Sequence, residues 1–289
     1  QADTSGLQRQ LSGVSKRTDE FARDATRNLT LPLAAAGLAA GKLSYDFNQS
    51  FNVMQSLAGV TAGEIDSLKQ SVLDLSGDTA RSPQELAQAL YFIRSAGLEG
   101  QTALDALKAS AEGAAIGLGS TQSVADAVTS AVNAYGSENL SAAKAVDVLA
   151  AAVEQGKGEA ADFAPQLGQL LPLATNLGVG FDEVAGSLAF LTQTGYPAAQ
   201  AATAINGIFQ KLIRPTAQAK QELDKVGLSV DDLRKMVAEQ GLLPALQLLN
   251  EKLGGDPQKF GRIFEDAEGL AGALALLRDN GAPAAKVLD

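Results

Sequence analysis

Apolar side chains recur at helical spacing along the chain from residue 43 onward. Leu86, Leu90 and Ile93 form one such stripe, and Val128 and Val132 belong to another. Residues three and four apart lie on one face of an α-helix and form its buried side. Alternation with a period of two, which is typical of a half-buried strand, does not extend over any useful length. The pattern therefore predicts an all-α protein.

Short motifs mark where the predicted helices begin and end. Three pairs of residues have the spacing of a capping box, in which a hydroxyl and a carboxylate accept hydrogen bonds from backbone N–H groups at the helix start: Thr61 with Glu64, Ser82 with Glu85, and the looser Ser229 with Asp232. Asp256-Pro257 starts a fourth helix. Eight glycines lie where helices are expected to stop in the left-handed conformation: Gly97, Gly119, Gly136, Gly156, Gly178, Gly195, Gly227 and Gly241.

Four predicted helices share one length, about 14 residues, between a start signal and a glycine: Ser82–Gly97, Thr121–Gly136, Ser141–Gly156 and Gly180–Gly195. Helix pairs recur every 37 to 42 residues, which is close to the period of α-solenoids, although the repeats show little sequence similarity. A compact bundle of similar rods explains the spacing equally well. The predicted fold is a bundle or solenoid-like array of short helices.

The first residues have a different character. Apolar side chains follow a heptad seam, interrupted once by a threonine: Leu7, Leu11, Val14, Thr18, Phe21 and Ala25. This seam predicts an amphipathic or coiled-coil helix, or equally a helix packed on its own domain. Residues 1–42 contain six basic and four acidic side chains and so carry a charge of +2. Because the net charge of the whole chain is −10, residues 43–289 carry −12. This contrast indicates a boundary near residue 40.

An Ala/Gly-rich apolar segment, Leu29–Gly41, follows the heptad seam. It is shorter than the roughly 20 residues that a membrane span requires, so a helix packed in a protein core is the favoured interpretation. We therefore divide the chain into three parts. Residues 1–42 form the N-terminal helix and apolar segment, residues 43–227 a helical core, and residues 228–289 a C-terminal section of three or four shorter helices.

Composition excludes several kinds of chemistry. The 289 residues include no His, no Cys and no Trp. There is thus no imidazole base, no Ser-His-Asp or Cys-His arrangement, no Cys/His zinc site and no disulfide. A net charge of −10, with 5% aromatic residues, argues against a nucleic-acid-binding protein, which needs clustered Lys and Arg. We expect no metal and no cofactor.

Two motifs resemble functional sites and fail on inspection. The segment before Lys42 suggests a phosphate-binding loop, but Ala36 replaces the required glycine and Leu43 the required Ser or Thr. Gly178-Val-Gly180 lacks the third glycine of a dinucleotide-binding turn. Three adjacent carboxylate pairs favour helix stabilisation over catalysis: Asp182-Glu183, Asp231-Asp232 and Glu265-Asp266. We therefore predict no catalytic, cofactor-binding or metal-binding residues.

Ordered along residues 29–213, and less clearly to 277, several stretches resemble the core region of phage tail tape-measure proteins. They are Leu31–Lys42, Asp46–Asn48, Gly59–Thr61, Ser82–Ala87 with Ser95–Leu98, Leu177–Val184 with Phe190–Gly195, Ala199–Leu212, Arg214-Pro215, Leu223–Leu228 and Ile263-Phe264. One departure is Glu265, where that family usually has Gly after the Phe. Their common order along the chain makes the resemblance specific.

The resemblance implies a non-enzymatic structural protein. Tape-measure proteins are long helical chains in the lumen of the phage tail; their length sets tail length, and they leave ahead of the DNA during genome ejection. Implied partners are tail-tube and tail-tip proteins and further copies of the chain, three being one arrangement. The implied location is the virion, or the host cytoplasm during assembly. Contact with the host membrane on ejection is a further hypothesis.

Two other classes of function stay open from the residues alone. One is a helical scaffold or adaptor that binds a protein partner through a groove. The other is a glycosidase that uses only carboxylates, for which Asp182 and Glu183 are the candidates. Because the chain begins at Gln1 and not at Met, we also expect it to be a fragment.

Overall fold

The computed structural model describes residues 44–56 and 60–288. Within these residues the chain forms fifteen α-helices and one 3₁₀ turn, with no strand, so the predicted all-α class is confirmed. The predicted heptad helix and the Ala/Gly-rich segment lie outside the described residues. The chain divides into two compact units, residues 1–52 and 53–289. In the first, the rings of Phe47 and Phe51 meet edge to face, with centroids 5.0 Å apart.

The helices are short and are separated by tight turns. Their bounds are α1 44–56, α2 Ala62–Thr79, α3 Pro83–Ser95, α4 Gly100–Ala115, α5 Thr121–Tyr135, α6 Ala142–Gln155, α7 Ala160–Leu177, α8 Phe181–Gln193, α9 Ala198–Ile213, α10 Ala217–Lys225, α11 Val230–Gln240, α12 Leu242–Leu253, α13 Pro257–Ile263, α14 Ala267–Leu276 and α15 Ala282–Leu288, with the 3₁₀ turn at Arg278–Gly281.

Helices of the second unit form two rows. The odd row consists of α3, α5, α7 and α9, and each of these helices packs on the next one in the row. The even row consists of α2, α4, α6 and α8, which pack on one another in the same way and on the odd row. The odd-row helices begin at residues 83, 121, 160 and 198, so they recur every 38 or 39 residues. A two-row array therefore produces the predicted recurrence of helix pairs.

The last two helices return to the array. α14 packs on α9, and α15 packs on α8, so each extends one of the two rows. The contact of α9 with α14 is close: a Cβ atom added at Gly207 would lie 2.9 Å from Cα of Gly269. Between α9 and α14, helices α10 to α13 form a smaller group in which α10 packs on α13 and α11 on α12. Five helices follow residue 228 and not three or four, because short turns at Gly241 and Phe264–Asp266 each separate two of them.

Two of the three predicted capping boxes are confirmed. The carboxylate of Glu64 accepts a hydrogen bond from the backbone N–H of Thr61 (2.9 Å), and the box at Ser229 is complete. At Ser82 the prediction is half wrong: the serine accepts from the N–H of Glu85 (3.1 Å), but the carboxylate of Glu85 turns to another helix. Asp256 caps α13 as predicted, by accepting from the N–H of Gln258.

Two predicted boundaries are corrected. Helix α5 is capped by Ser120, whose hydroxyl accepts from the N–H of Ser123 (3.0 Å), so Thr121 is the first helical residue and not the cap. Of the eight predicted stop glycines, seven have a positive φ, but Gly156 has φ −91°. Glycine is needed there for space: an added Cβ would lie 2.7 Å from the carbonyl oxygen of Ala152 and 2.8 Å from the ring of Phe163.

Candidate functional site

Two of the three carboxylate pairs stabilise helix starts and inter-helix contacts. Asp232 belongs to the capping box of α11, which lowers its pKa through hydrogen bonds from the side chain and backbone of Ser229, while Asp231 is exposed. Asp266 accepts from the N–H of Gly269 (2.6 Å) at the start of α14. Neither pair has two carboxylates facing each other across a cleft, as a glycosidase requires.

The third pair, Asp182-Glu183, is split between solvent and an inter-helix contact. Asp182 is exposed in the first turn of α8. The Oε1 atom of Glu183 accepts hydrogen bonds from the backbone N–H groups of Leu242 (2.6 Å) and Leu243 (3.1 Å), which open α12. Burial raises the pKa of Glu183, the two backbone hydrogen bonds lower it, and the charge of Asp182 raises it further. Glu183 is therefore a cap that one helix supplies to another.

Tyr135 belongs to the same part of the structure. Its hydroxyl donates to the carbonyl oxygen of Val179 (2.7 Å), which fixes the end of α5 to the turn between α7 and α8. Its ring meets that of Phe181 edge to face, with centroids 6.3 Å apart. Burial, followed by the charges of Asp182 and Glu183, raises the pKa of this phenol. The phenol therefore serves as a hydrogen-bond donor that anchors one helix to a neighbouring turn.

Glu85 caps a neighbouring helix of the odd row, as Glu183 caps α12. Its Oε1 atom accepts from the hydroxyl (2.5 Å) and the backbone N–H (3.3 Å) of Thr121, the first residue of α5. Arg81 lies 3.9 Å from this carboxylate and donates to the carbonyl oxygen of Ala114. One carboxylate thus joins the N-terminal turns of two neighbouring helices in the row.

Glu222 fixes α10 to α13. Among the described residues it is the one charged residue that is buried, and its Oε1 atom lies 2.7 Å from Nζ of Lys225 and 3.1 Å from Nη1 of Arg262. The hydrogen bonds from Lys225 and Arg262 lower the pKa of Glu222. Carboxylate capping, tyrosine anchoring and this ion pair are all structural, and sequence analysis identified none of these inter-helix contacts.

No group of three or more Asp or Glu side chains within the described residues has the arrangement of a metal site. In the same residues, no helix combines the length and apolarity that crossing a bilayer demands. An open groove of about 420 Å³ lies between α4 and α6, and its charged lining includes Asp105, Lys108 and Glu112. Its charges are of both signs, and Lys108 lies 3.9 Å from Glu112.

The two rows differ sharply in charge. The odd row contains five charged residues among 62, namely Glu85, Arg94, Asp126, Asp162 and Lys211. The even row contains thirteen among 61. Four of the five odd-row charges lie in or near a first or last turn, so Asp126 is the one charge in the middle of an odd-row helix.

The side of the odd row that faces away from the even row is therefore nearly uncharged. We call it the neutral face and define it by four exposed or half-exposed stripes, one on each helix: Gln84, Gln88, Tyr91 and Ser95 on α3; Gln122, Asp126, Ser130 and Asn133 on α5; Pro165, Gln169, Pro172 and Asn176 on α7; and Ala199, Thr203, Asn206 and Gln210 on α9. Charge depletion distinguishes protein interfaces from the remaining surface better than apolarity does. The neutral face is thus the candidate functional site.

Two prolines make this face unusual. Pro165 and Pro172 lie inside α7, seven residues apart, and both are exposed on the neutral face. Because proline has no N–H, the carbonyl groups of Ala161 and Gly168, four residues earlier, lack their helical donor. The helix nevertheless continues through both positions, and Ala161 and Gly168 are themselves exposed. The face therefore presents backbone acceptors as well as side-chain amides.

Comparison with known proteins gives a consistent result. The profile of a family described as "Phage-related minor tail protein" matches residues 69–269. The tape measure protein of Pneumococcus phage Dp-1 is 28% identical over 221 residues, which cover 74% of this chain and 19% of that protein. The probable tape measure protein of Escherichia phage P2 is 25% identical over 206 residues, which cover 69% of this chain and 25% of that protein.

The chain thus spans about a fifth to a quarter of the length of these two relatives. No solved structure matches it. The matched span of the family begins within α2 and ends within α14, so it includes both rows of the array.

Proposed function

The chain belongs to the family of phage-related minor tail proteins, and we propose that it is a folded module of a phage tail tape-measure protein. In this proposal it lies in the lumen of the tail during assembly and leaves ahead of the DNA on ejection. The observation that carries the proposal is the similarity to two tape measure proteins over about 70% of the chain. The role is structural and not enzymatic.

The contribution of the proposed module to tail length depends on whether the module is folded or extended. An extended helix advances about 1.5 Å per residue. Helices packed side by side advance only one interaxial distance, about 8–10 Å, for each pair of helices in a two-row array. A folded array is therefore a much shorter ruler than the same residues in one continuous helix.

Tail length measured by electron microscopy tests the proposal. We would delete the 75 residues from Ser82 to Gly156, which form α3 to α6, from the full gene. Tails shortened by about 110 Å would mean that these residues measure as extended helix. Shortening by about 20 Å would mean that two helix pairs measure as a packed array. Unchanged tails would mean a folded module that does not measure.

A point variant separates residue count from folding. Leu90 is fully buried in α3, so Leu90→Asp is expected to disrupt the array without changing the number of residues. If extended residues measure, Leu90→Asp tails keep the wild-type length. Tails of normal length and number in a phage lacking the whole protein would contradict the tape-measure proposal.

The proposed partners are tail-tube and tail-tip proteins, together with further copies of the chain in the same lumen. The proposed division into residues 1–42, 43–227 and 228–289 assigns the array chiefly to the second part. Contact of residues 29–41 with the host membrane on ejection is part of the proposal. A liposome-binding assay without association would remove it.

A scaffold or adaptor is the second candidate function, and the neutral face is the observation that favours it. A scaffold presents a preformed surface to a protein partner and needs no tail. Normal tails without the protein, together with a partner captured on the neutral face, would favour this function over the first.

A further inference from the structure

We propose that the neutral face is the surface through which two copies of the array associate, face to face about a two-fold axis. The inference rests on the proposed function only for its setting, in which several copies share one tail. It adds the surface, the geometry and the residues through which the folded modules meet.

Charge selects a second copy as the occupant. Outside residues 1–42 the chain carries a net charge of −12, and the even row contributes many of the exposed carboxylates. Two such molecules repel each other on most approaches, because like charges across an interface cost several kcal/mol. Asp126 is the one mid-helix charge on the neutral face, so an equally acidic chain meets far less of that repulsion there than elsewhere. A basic partner would instead be attracted to the even row.

The area of the face suits a stable dimer. Four helices spaced about 8–10 Å apart give a width of about 40 Å, and helices of 13 to 18 residues are about 20–27 Å long. The product is about 800 Å² or somewhat more, which is the area that each partner contributes to a typical specific interface.

The neutral face contains both hydrogen-bond donors and acceptors, so the polar groups of one copy can pair with those of a second copy. Carbonyl groups of Ala161 and Gly168 lack helical donors because of the two prolines, and side-chain amides such as Gln122 and Gln169 can donate. In an isologous dimer each copy offers both donors and acceptors, so each set meets its complement on the other copy. Gly168 lies beside Ser130, where an added Cβ would be 3.5 Å from the serine Oγ, so this region of α5 and α7 is the centre of the face.

Sedimentation velocity of the full 289-residue chain, from about 1 μM to about 100 μM, tests the inference. We expect reversible association of the wild-type chain. Gln169→Glu and Gln169→Lys each place a charge at the centre of the interface, so each should weaken association by at least about tenfold. The use of both signs is essential, because Lys relieves general repulsion and Glu increases it.

Ala151 provides the matched control, since it is exposed on α6 in the even row. Ala151→Glu and Ala151→Lys make the same charge changes away from the face and should leave association within about twofold of wild type. A wild-type chain that stays monomeric throughout would overturn the inference. So would association that survives both Gln169 variants, which would place the contact elsewhere, for example in the heptad of residues 7–25.

The two proposals can fail separately. Sedimentation needs no tail, so monomeric arrays would refute the face-to-face dimer and leave the deletion result for tail length intact. Conversely, normal tails in a phage lacking the protein would refute the tape-measure proposal without altering a measured dimer.

Discussion

Replacing Glu183 tests whether a carboxylate on one helix holds the start of another. Glu183→Ala removes the acceptor of the N–H groups of Leu242 and Leu243. Glu183→Gln keeps an oxygen at the same place and removes only the charge. Asp182→Ala, one residue earlier and exposed, removes a first-turn carboxylate without breaking an inter-helix bond.

The expected magnitudes follow from the hydrogen bonds. A hydrogen bond to a charged group contributes about 1.5–3 kcal/mol, but the buried charge itself costs free energy, so we expect Glu183→Ala to lower the free energy of unfolding by about 2 kcal/mol. Glu183→Gln should change it by less than about 1 kcal/mol in either direction, because the weaker hydrogen bonds of a neutral acceptor are offset by the lost cost of burying a charge. Asp182→Ala should cost about 0.3–1 kcal/mol through the helix dipole.

Urea unfolding followed by circular dichroism gives these values. Hydrogen exchange measured by mass spectrometry then localises the effect: peptides containing the start of α12 should exchange faster in Glu183→Ala and not in Asp182→Ala. If both alanine variants show the same urea midpoint and the same exchange at α12, Glu183 does not hold that helix, and the assignment is wrong.

The pH dependence has a definite sign. Burial raises the pKa of Glu183 in the folded state, so the folded chain binds the proton more tightly than the unfolded chain. Stability from this group is therefore greatest below the unfolded pKa, about 4.3, and is lost as the pH rises through the folded pKa. Glu183→Gln should lack this loss. A wild-type chain and a Glu183→Gln variant with parallel pH profiles would contradict the argument.

Three further predictions follow from contacts described above. Gly156→Ala should destabilise the fold by about 1–3 kcal/mol, because the added methyl group has no space. Gly77→Ala, at an open helical site, should stabilise the fold by about 0.5–1 kcal/mol. The urea midpoints of the two variants test this difference. Glu222→Gln should have a lower free energy of unfolding than wild type at neutral pH. This difference should vanish as the pH falls from the ordinary glutamate range through the lowered pKa of Glu222, which urea titrations at a series of pH values measure. Tyr135→Phe should cost about 1 kcal/mol in calorimetry, since the carbonyl of Val179 loses its donor.

Local signals predicted the helices well. Caps at Thr61 and Ser229 and most stop glycines act over three or four residues, so they are legible in the sequence. The sequence did not decide between a bundle and a two-row array, because that choice depends on which helices touch. Gly156 shows the same limit: its φ is ordinary, and the reason for glycine is a ring seven residues later that packs against it.

The inter-helix contacts could not be predicted from the sequence, for a related reason. Ser82 and Glu85 have the spacing of a capping box, and a carboxylate at that position can accept from its own helix or from a neighbour with similar energy. Only the packing of α3 on α5 places the N–H of Thr121 within reach of Glu85. The charge of each helix could be counted from the sequence, but the contrast between rows appears only when the helices are assigned to rows.

Folding gives no reason for the neutral face. Charges at helix ends are accounted for by caps and dipoles, as with Glu85 and Asp162 in the odd row. In the middle of an exposed helix, Gln and Glu have nearly the same helix propensity, and isolated surface charges alter stability little. The even row accordingly has charges such as Asp105, Lys108 and Asp147 at mid-helix. Since the same physics would permit them on the odd row, their near absence there indicates a surface adapted to contact another acidic protein surface.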